Sequence, residues 1–173
     1  VVGSGYAGAG AVKAFEDEVG EGEAELTWIS EHDYHLVLHE VHRAIRNPAV
    51  EDKITIPVDE IKSPESDFVK GRVVDVDTED RVVETDDGTT VDYDYLLLGV
   101  GSTTAFFGIE GLKENAHQLK SLDDAKAIHE DVREAAADAT RSDPAEVIVG
   151  GAGLSGIQTA GEIAEYRDKH RAP

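Results

Sequence analysis

The chain opens on VVGSGYAGAG (residues 1–10), in which Gly3, Gly5 and Gly8 stand at G-x-G-x-x-G spacing directly after two valines. An apolar stub followed by that spacing describes a strand turning into a helix around a phosphate. Gly3 permits the tight turn, Gly5 lets a pyrophosphate approach the backbone, and Gly8 lets helix and strand pack closely, with the helix N-terminus facing the anion. Alone, three such glycines in a chain holding 17 also describe an ordinary glycine-rich turn.

The residues that follow favour the clamp. Gly10 to Val19 continues as an amphipathic helix, and AELTWIS (Ala24 to Ser30) reads as a strand that delivers Glu31 at its C-terminal end. A carboxylate there accepts hydrogen bonds from ribose hydroxyls, at about the distance from the glycines that a βαβ dinucleotide unit requires. The alternative is one solvated acid among many. The clamp also occurs twice. VIVGGAGLSGIQTAGE (residues 147–162) places Gly151, Gly153 and Gly156 after an expected strand, Glu146 to Val149, and before a helical run with Ile157, Ala160, Ile163 and Ala164. Two clamps in strand–helix context point to two dinucleotides, one per unit.

Composition narrows the partners. Sixteen basic against 37 acidic residues give a formal net charge of −21, which argues against nucleic acid or an anionic membrane surface. The acids are dispersed (EDEVGEGEAE, DVDTED, EDVREAAAD), as on a uniformly acidic folded surface. Such a surface suits a cytoplasm with molar salt, where carboxylate repulsion is screened, and a halophilic source is preferred over a basic protein partner. With no Cys there is no disulfide, thiolate metal site or cysteine redox centre in these residues. The longest apolar run, about LLLGV, is too short to span a membrane, and no signal peptide is visible. Too few residues follow Gly156 to complete a second βαβ unit, and the chain has no Met, so a fragment of a longer protein is expected.

Between the clamps, HDYHLVLHEVHRAIRNP puts His35, His39 and His42 on one face if the stretch is a helix ending at Pro48. Imidazoles so spaced can ligate zinc, with Glu40 nearby. The pattern is not H-E-x-x-H, however, and the preferred reading is histidines lining a cofactor pocket or lying at the surface, with no metal. ITIPVDEI (residues 54–61) predicts a short strand ended by Pro57 and then a helical turn. Phe68 to Val76, Arg81 to Thr85 and Thr89 to Val91 predict an antiparallel meander turning at DTED and DDG. YDYLLLGVGS predicts a buried strand, Tyr95 to Leu98, at the centre of a parallel sheet, ending in Gly99 and Gly101. Residues 106–121 read as a loop with one short turn. Ser121 with Asp124 forms a capping box for a long helix that stops before Asp143-Pro144.

This order of elements resembles the two-dinucleotide flavoprotein oxidoreductases, the FAD/NAD(P)-dependent pyridine nucleotide-disulfide oxidoreductase family related to glutathione reductase. The fold so implied is α/β: a Rossmann-like FAD-binding domain with a small antiparallel meander (1–110), then the incomplete beginning of a Rossmann-like NAD(H)-binding domain (111–173). EHDYHLVLHEV, GSTTAFFGIEGLKENAHQLKSLDDA and VGGAGLSGIQTAGEI look like the type II NADH dehydrogenase branch. That resemblance implies an enzyme passing hydride from NADH to FAD and on to a quinone or other small acceptor. It implies a cytoplasmic protein, with peripheral membrane contact only through regions absent from this chain, and it allows a homodimer. The alternatives are a sulfide:quinone oxidoreductase-like flavoprotein and a nucleotide-binding module without activity.

Carried over by motif, Gly3, Ser4, Gly5, Tyr6, Ala7 and Gly8 would surround the FAD pyrophosphate, with Glu31 on the adenosine ribose. Val73 would offer its backbone to the adenine, and Gly101 and Ser102 would pass near the flavin. Gly151, Gly153, Leu154, Ser155 and Gly156 would begin the NADH site. Where the family usually has a glutamate near flavin and quinone, this chain has Gln158, the catalytic candidate. Glutamine hydrogen-bonds but cannot act as a proton acid or base.

Overall fold

The computed structural model describes residues 1–20 and 22–170. Its helices and strands, in chain order, are α1 (Tyr6–Glu18), β1 (Thr27–Ser30), β2 (Tyr34–Leu36), α2 (Arg43–Arg46), α3 (Glu51–Ile54), β3 (Thr55–Pro57), β4 (Asp67–Lys70), β5 (Val73–Asp77), β6 (Val82–Thr85), β7 (Thr90–Asp92), α4 (Leu112–Asn115), α5 (Leu122–Asp138) and α6 (Leu154–His170). They divide into two compact units, one built from Val1–Leu36 with Thr55–Ser102, the other from Val37–Ile54 with the chain from Thr103 onward.

In the first unit β1 organises the packing, because successive strand side chains point to opposite faces and both of its faces are covered. Trp28 faces α1 and shares a core with Val12, Leu26 and Val58. Its neighbour Ile29 faces the other way, into a cluster with Val2 and Val83 fringed by Val69, Val73, Val76, Val91 and Tyr93. The helix thus covers one side of β1 and the meander the other. Parallel to β1 run β4, in register from Thr27 opposite Asp67 to Ser30 opposite Lys70, and on the opposite edge Val2, which bridges Ile29 and Leu98. The sheet β5–β6–β7 is antiparallel, with a register shift between Val73 and Asp75, and β2 pairs antiparallel with β3.

Three strand expectations in this unit change. The expected strand Ala24 to Ser30 is regular only over Thr27–Ser30. Phe68 to Val76 is two strands, β4 in the parallel pair and β5 in the meander. The break falls at Gly71-Arg72, where the Gly71 amide donates to Ser30 O at 2.9 Å. Tyr95 to Leu98 is not a buried central strand. It meets Val2 on one side only (Val2 N to Leu97 O, 2.9 Å), and Tyr95 is 96% and Leu98 57% exposed. A regular ladder needs repeated partners, and a single bridging residue supplies too few.

Glu16 fastens the end of α1 to the turn before β4. Its Oε1 accepts from the Ser63 amide and the Ser66 hydroxyl, both at 2.7 Å. Burial works to raise its pKa, but these two hydrogen bonds and the charge of Lys13 outweigh it and hold the carboxyl below its usual value. A depressed folded-state pKa adds stability above the unfolded carboxylate value of ~4.3, and that stability is lost as pH falls through the folded value. Glu16→Gln is therefore expected to cost no more than about 1 kcal/mol at pH 7 in urea unfolding, because solvent screens this carboxylate, with the gap from wild type closing as pH falls below the unfolded carboxylate value.

In the second unit α2 packs against α5 and α6. Arg46 Nε lies 2.9 Å from Glu162 Oε2 and the same guanidinium pairs with Glu165, while His42 Nε2 is 3.8 Å from Glu162 Oε1. His129 Nδ1–H donates to Ile45 O at 2.8 Å and its ring stands edge-on to the buried Tyr166. The capping box of α5 forms as expected: Ser121 Oγ accepts from Asp124 N at 3.0 Å and Asp124 Oδ2 accepts from Ser121 N at 2.9 Å. The expected strand Glu146 to Val149 is absent. That stretch is irregular, Ile148 is 94% exposed, and no described residue pairs with it.

The stretch from His35 to His42 is not one helix. His35 lies in β2, His39 in a 3-10 turn (Leu38–Glu40), and His42 caps α2. Pairing with β3 draws Tyr34 to Leu36 into extended backbone, so the helical spacing of the histidines is never realised. Among the described residues no group of three His, Cys, Asp or Glu side chains is placed to hold a metal.

Candidate functional site

The two glycine clamps fold alike. Gly3 and Gly151 both take left-handed backbone, φ +97° and +119°. The third glycine of each sits against the carbonyl of the first: a Cβ on Gly8 would strike Gly3 O and lie 2.9 Å from its carbon, and one on Gly156 would strike Gly151 O and lie 3.1 Å from its carbon. The middle glycines open their helices. Gly5 O accepts from Ala9 N at 2.9 Å and Gly153 O from Ile157 N at 3.0 Å, and nothing lies within 4 Å of a Cβ built on either.

Exposed backbone amides at a helix start, with open space where a side chain would be, fit a pyrophosphate. The charges agree. α5 has Asp123 and Asp124 in its first turn, as suits a helix N-terminus in so acidic a chain. The clamp helices α1 and α6 have no acid in theirs, leaving the positive end of each dipole for an external anion.

The first clamp is braced from several sides. The Gly3 amide donates to Ile29 O at 2.7 Å, and Gly3 O accepts from Trp28 Nε1 at 2.9 Å. Ser4 is buried. Its hydroxyl donates to Tyr34 O and accepts from the Ser30 hydroxyl, both at 2.8 Å, and its carbonyl accepts from His35 Nδ1–H at 2.8 Å. Tyr6 and Ala7 begin α1 with both side chains exposed, and Tyr6 meets the His35 ring edge-on at 4.8 Å. Glu31 is exposed immediately after β1.

Val73 starts β5 opposite Thr85. Gly101 (φ +73°) and Ser102 are exposed beyond Gly99. In the second unit Leu154 and Ser155 are exposed at the start of α6, and Gln158 is half-buried one turn on.

Three contributors to the first clamp were not among the expected site residues: Trp28, Ser30 and Gly99. His35, expected to line a cofactor pocket or lie at the surface, is buried and holds the Ser4 carbonyl. Gly99, read only as the end of a strand, packs on the clamp backbone. A Cβ there would lie 2.9 Å from Gly8 N, and its amide donates to Val2 O at 2.8 Å. Its place in LLLGVGS was the available signal. For Trp28 and Ser30 there was none, because each contact joins residues more than 20 positions apart.

Residues 1–171 match the pyridine nucleotide-disulphide oxidoreductase family. The chain belongs to that family. It is 29% identical over 171 residues to a type II NADH:quinone oxidoreductase of Staphylococcus aureus and 30% identical over the same length to that of Staphylococcus saprophyticus. In each case the match covers 95% of this chain but 42% of the relative.

Among solved structures, NDH2 from Plasmodium falciparum in complex with NADH superposes with TM-score 0.73 at 20% identity, over 98% of this chain and 37% of that one. The sulfide:quinone oxidoreductase of Aquifex aeolicus gives 0.65 at 21%, over 79% and 32%. The Rossmann-like α/β fold with its small antiparallel sheet is therefore that of this oxidoreductase family, as the sequence led one to expect.

Proposed function

We propose that this chain is the portion of a type II NADH dehydrogenase-like flavoenzyme that holds FAD at the first clamp and begins the NADH site at the second. The observation that carries the reading is the pair of clamps with one internal geometry, each with a bare helix N-terminus. In this reading residues 1–110 serve FAD and 111–173 open the NAD(H) domain, while Val37–Ile54 packs with the second unit.

FAD held at the first clamp would supply the redox chemistry between nicotinamide and a quinone or other small acceptor. The residues here bind and orient. The amides around Gly5 receive the pyrophosphate, Glu31 the adenosine ribose, Val73 the adenine, and Gly101 and Ser102 the region beside the flavin. Gly151, Gly153, Leu154, Ser155 and Gly156 receive NADH. Gln158 offers hydrogen bonds near the reacting groups without carrying a proton.

No described helix is long and apolar enough to cross a membrane. We place the protein in the cytoplasm, in peripheral contact with the membrane through parts outside this chain, a reading that allows a homodimer.

The full-length protein should purify yellow, bleach with NADH and recolour with a quinone. A colourless protein that never takes up FAD overturns the reading. The sulfide:quinone alternative, favoured by the Aquifex aeolicus likeness, is separated by the reductant: bleaching by sulfide but not by NADH would select it.

A further inference from the structure

We infer that His35 is a positioning residue for the first clamp, holding the Ser4–Gly5 peptide so that the Gly5 amide is presented to the dinucleotide pyrophosphate. The inference rests on the reading that this clamp binds FAD.

A carbonyl oxygen can only accept, so the 2.8 Å contact between His35 Nδ1 and Ser4 O requires the proton on Nδ1. Ser4 C=O and Gly5 N–H belong to one trans peptide plane and point in opposite directions. Anchoring the carbonyl on the imidazole therefore aims the amide away from the protein interior, toward the open side of Gly5. A hydrogen bond on the carbonyl also polarises the peptide and makes its N–H the stronger donor.

The ring itself is fixed. It is 6% exposed and is carried by β2, whose pairing with β3 places Ile56 opposite it, with the Tyr6 ring edge-on. The Ser4 hydroxyl, held between Ser30 and Tyr34, prevents the residue from turning. Without His35 the Ser4 carbonyl would be left with no side-chain donor, and the amide would lose its aim.

Two substitutions separate positioning from packing. His35→Phe keeps a ring against Tyr6 but has no donor, whereas His35→Asn loses the ring but keeps an N–H near the Nδ1 position. In FAD titrations of the full-length apoprotein, followed by flavin fluorescence quenching, His35→Phe should raise Kd about tenfold or more, and His35→Asn should stay within about threefold of wild type. Equal binding by wild type and His35→Phe, or a loss in His35→Asn as large as in His35→Phe, overturns the inference.

Nitrogen-15 spectra of the wild-type histidine rings give a readout that needs no variant to fold. They should show a proton on Nδ1 of His35, and a ring protonated on Nε2 alone overturns the assignment. If wild type takes up no FAD while His35 shows the Nδ1–H tautomer, the FAD reading of the clamp has failed, and the role in dinucleotide binding falls with it.

Discussion

Gly8→Ala is expected to destabilise the first unit by about 3 kcal/mol or more, because one methyl group would be forced into backbone that has nowhere to go. The atom it would strike is Gly3 O, which already accepts from Trp28 Nε1, and the indole belongs to the core that seats α1. Retreat of Gly3 is blocked as well, since a Cβ position on that residue already faces Gly99.

Gly10→Ala, two positions further along the same helix, should do the reverse. Nothing lies within 4 Å of its Cβ, so replacing a helix-interior glycine is expected to stabilise by roughly 0.5–1 kcal/mol. Opposite signs in denaturant unfolding of the two variants would support the packing described for the clamp. An unchanged midpoint for Gly8→Ala would mean that α1 does not sit this close to Gly3.

The contrast shows what the sequence could and could not disclose. Spacing sufficed for both clamps, because the glycines are dictated by contacts three to five residues apart, and for the capping box at Ser121 and Asp124. It sufficed too for the meander hairpins, whose turns are local.

It failed where a partner decides the structure. LLLG and EVIV are apolar enough for strands, yet among the described residues Tyr95 to Leu98 pairs with Val2 alone and Glu146 to Val149 pairs with none. The histidine spacing from His35 to His42 suits a helix, but β3 recruits the first of the three into a strand. The break at Gly71 reflects the two sheets that compete for one run of valines, β4 going to Thr27–Ser30 and β5 to Val82–Thr85.

The middle glycines give the sharpest functional contrast. Gly5 has ordinary extended backbone (φ −73°, ψ −172°) and open space at its Cβ, so Gly5→Val is expected to fold, at a cost of no more than about 1 kcal/mol for a poor N-cap. What it fills is the space offered to the pyrophosphate, so flavin should be lost from a protein that still melts cooperatively. Gly153→Val places the same branched side chain at the second clamp, where the neighbourhood is equally open. That protein should stay yellow, with flavin content near one per chain, while the Michaelis constant for NADH rises at least tenfold, since the second clamp holds a diffusing substrate. Flavin stoichiometry and NADH kinetics on the two full-length variants decide between the clamps. Should Gly153→Val shed flavin while Gly5→Val keeps it, FAD belongs to the second clamp and NADH to the first.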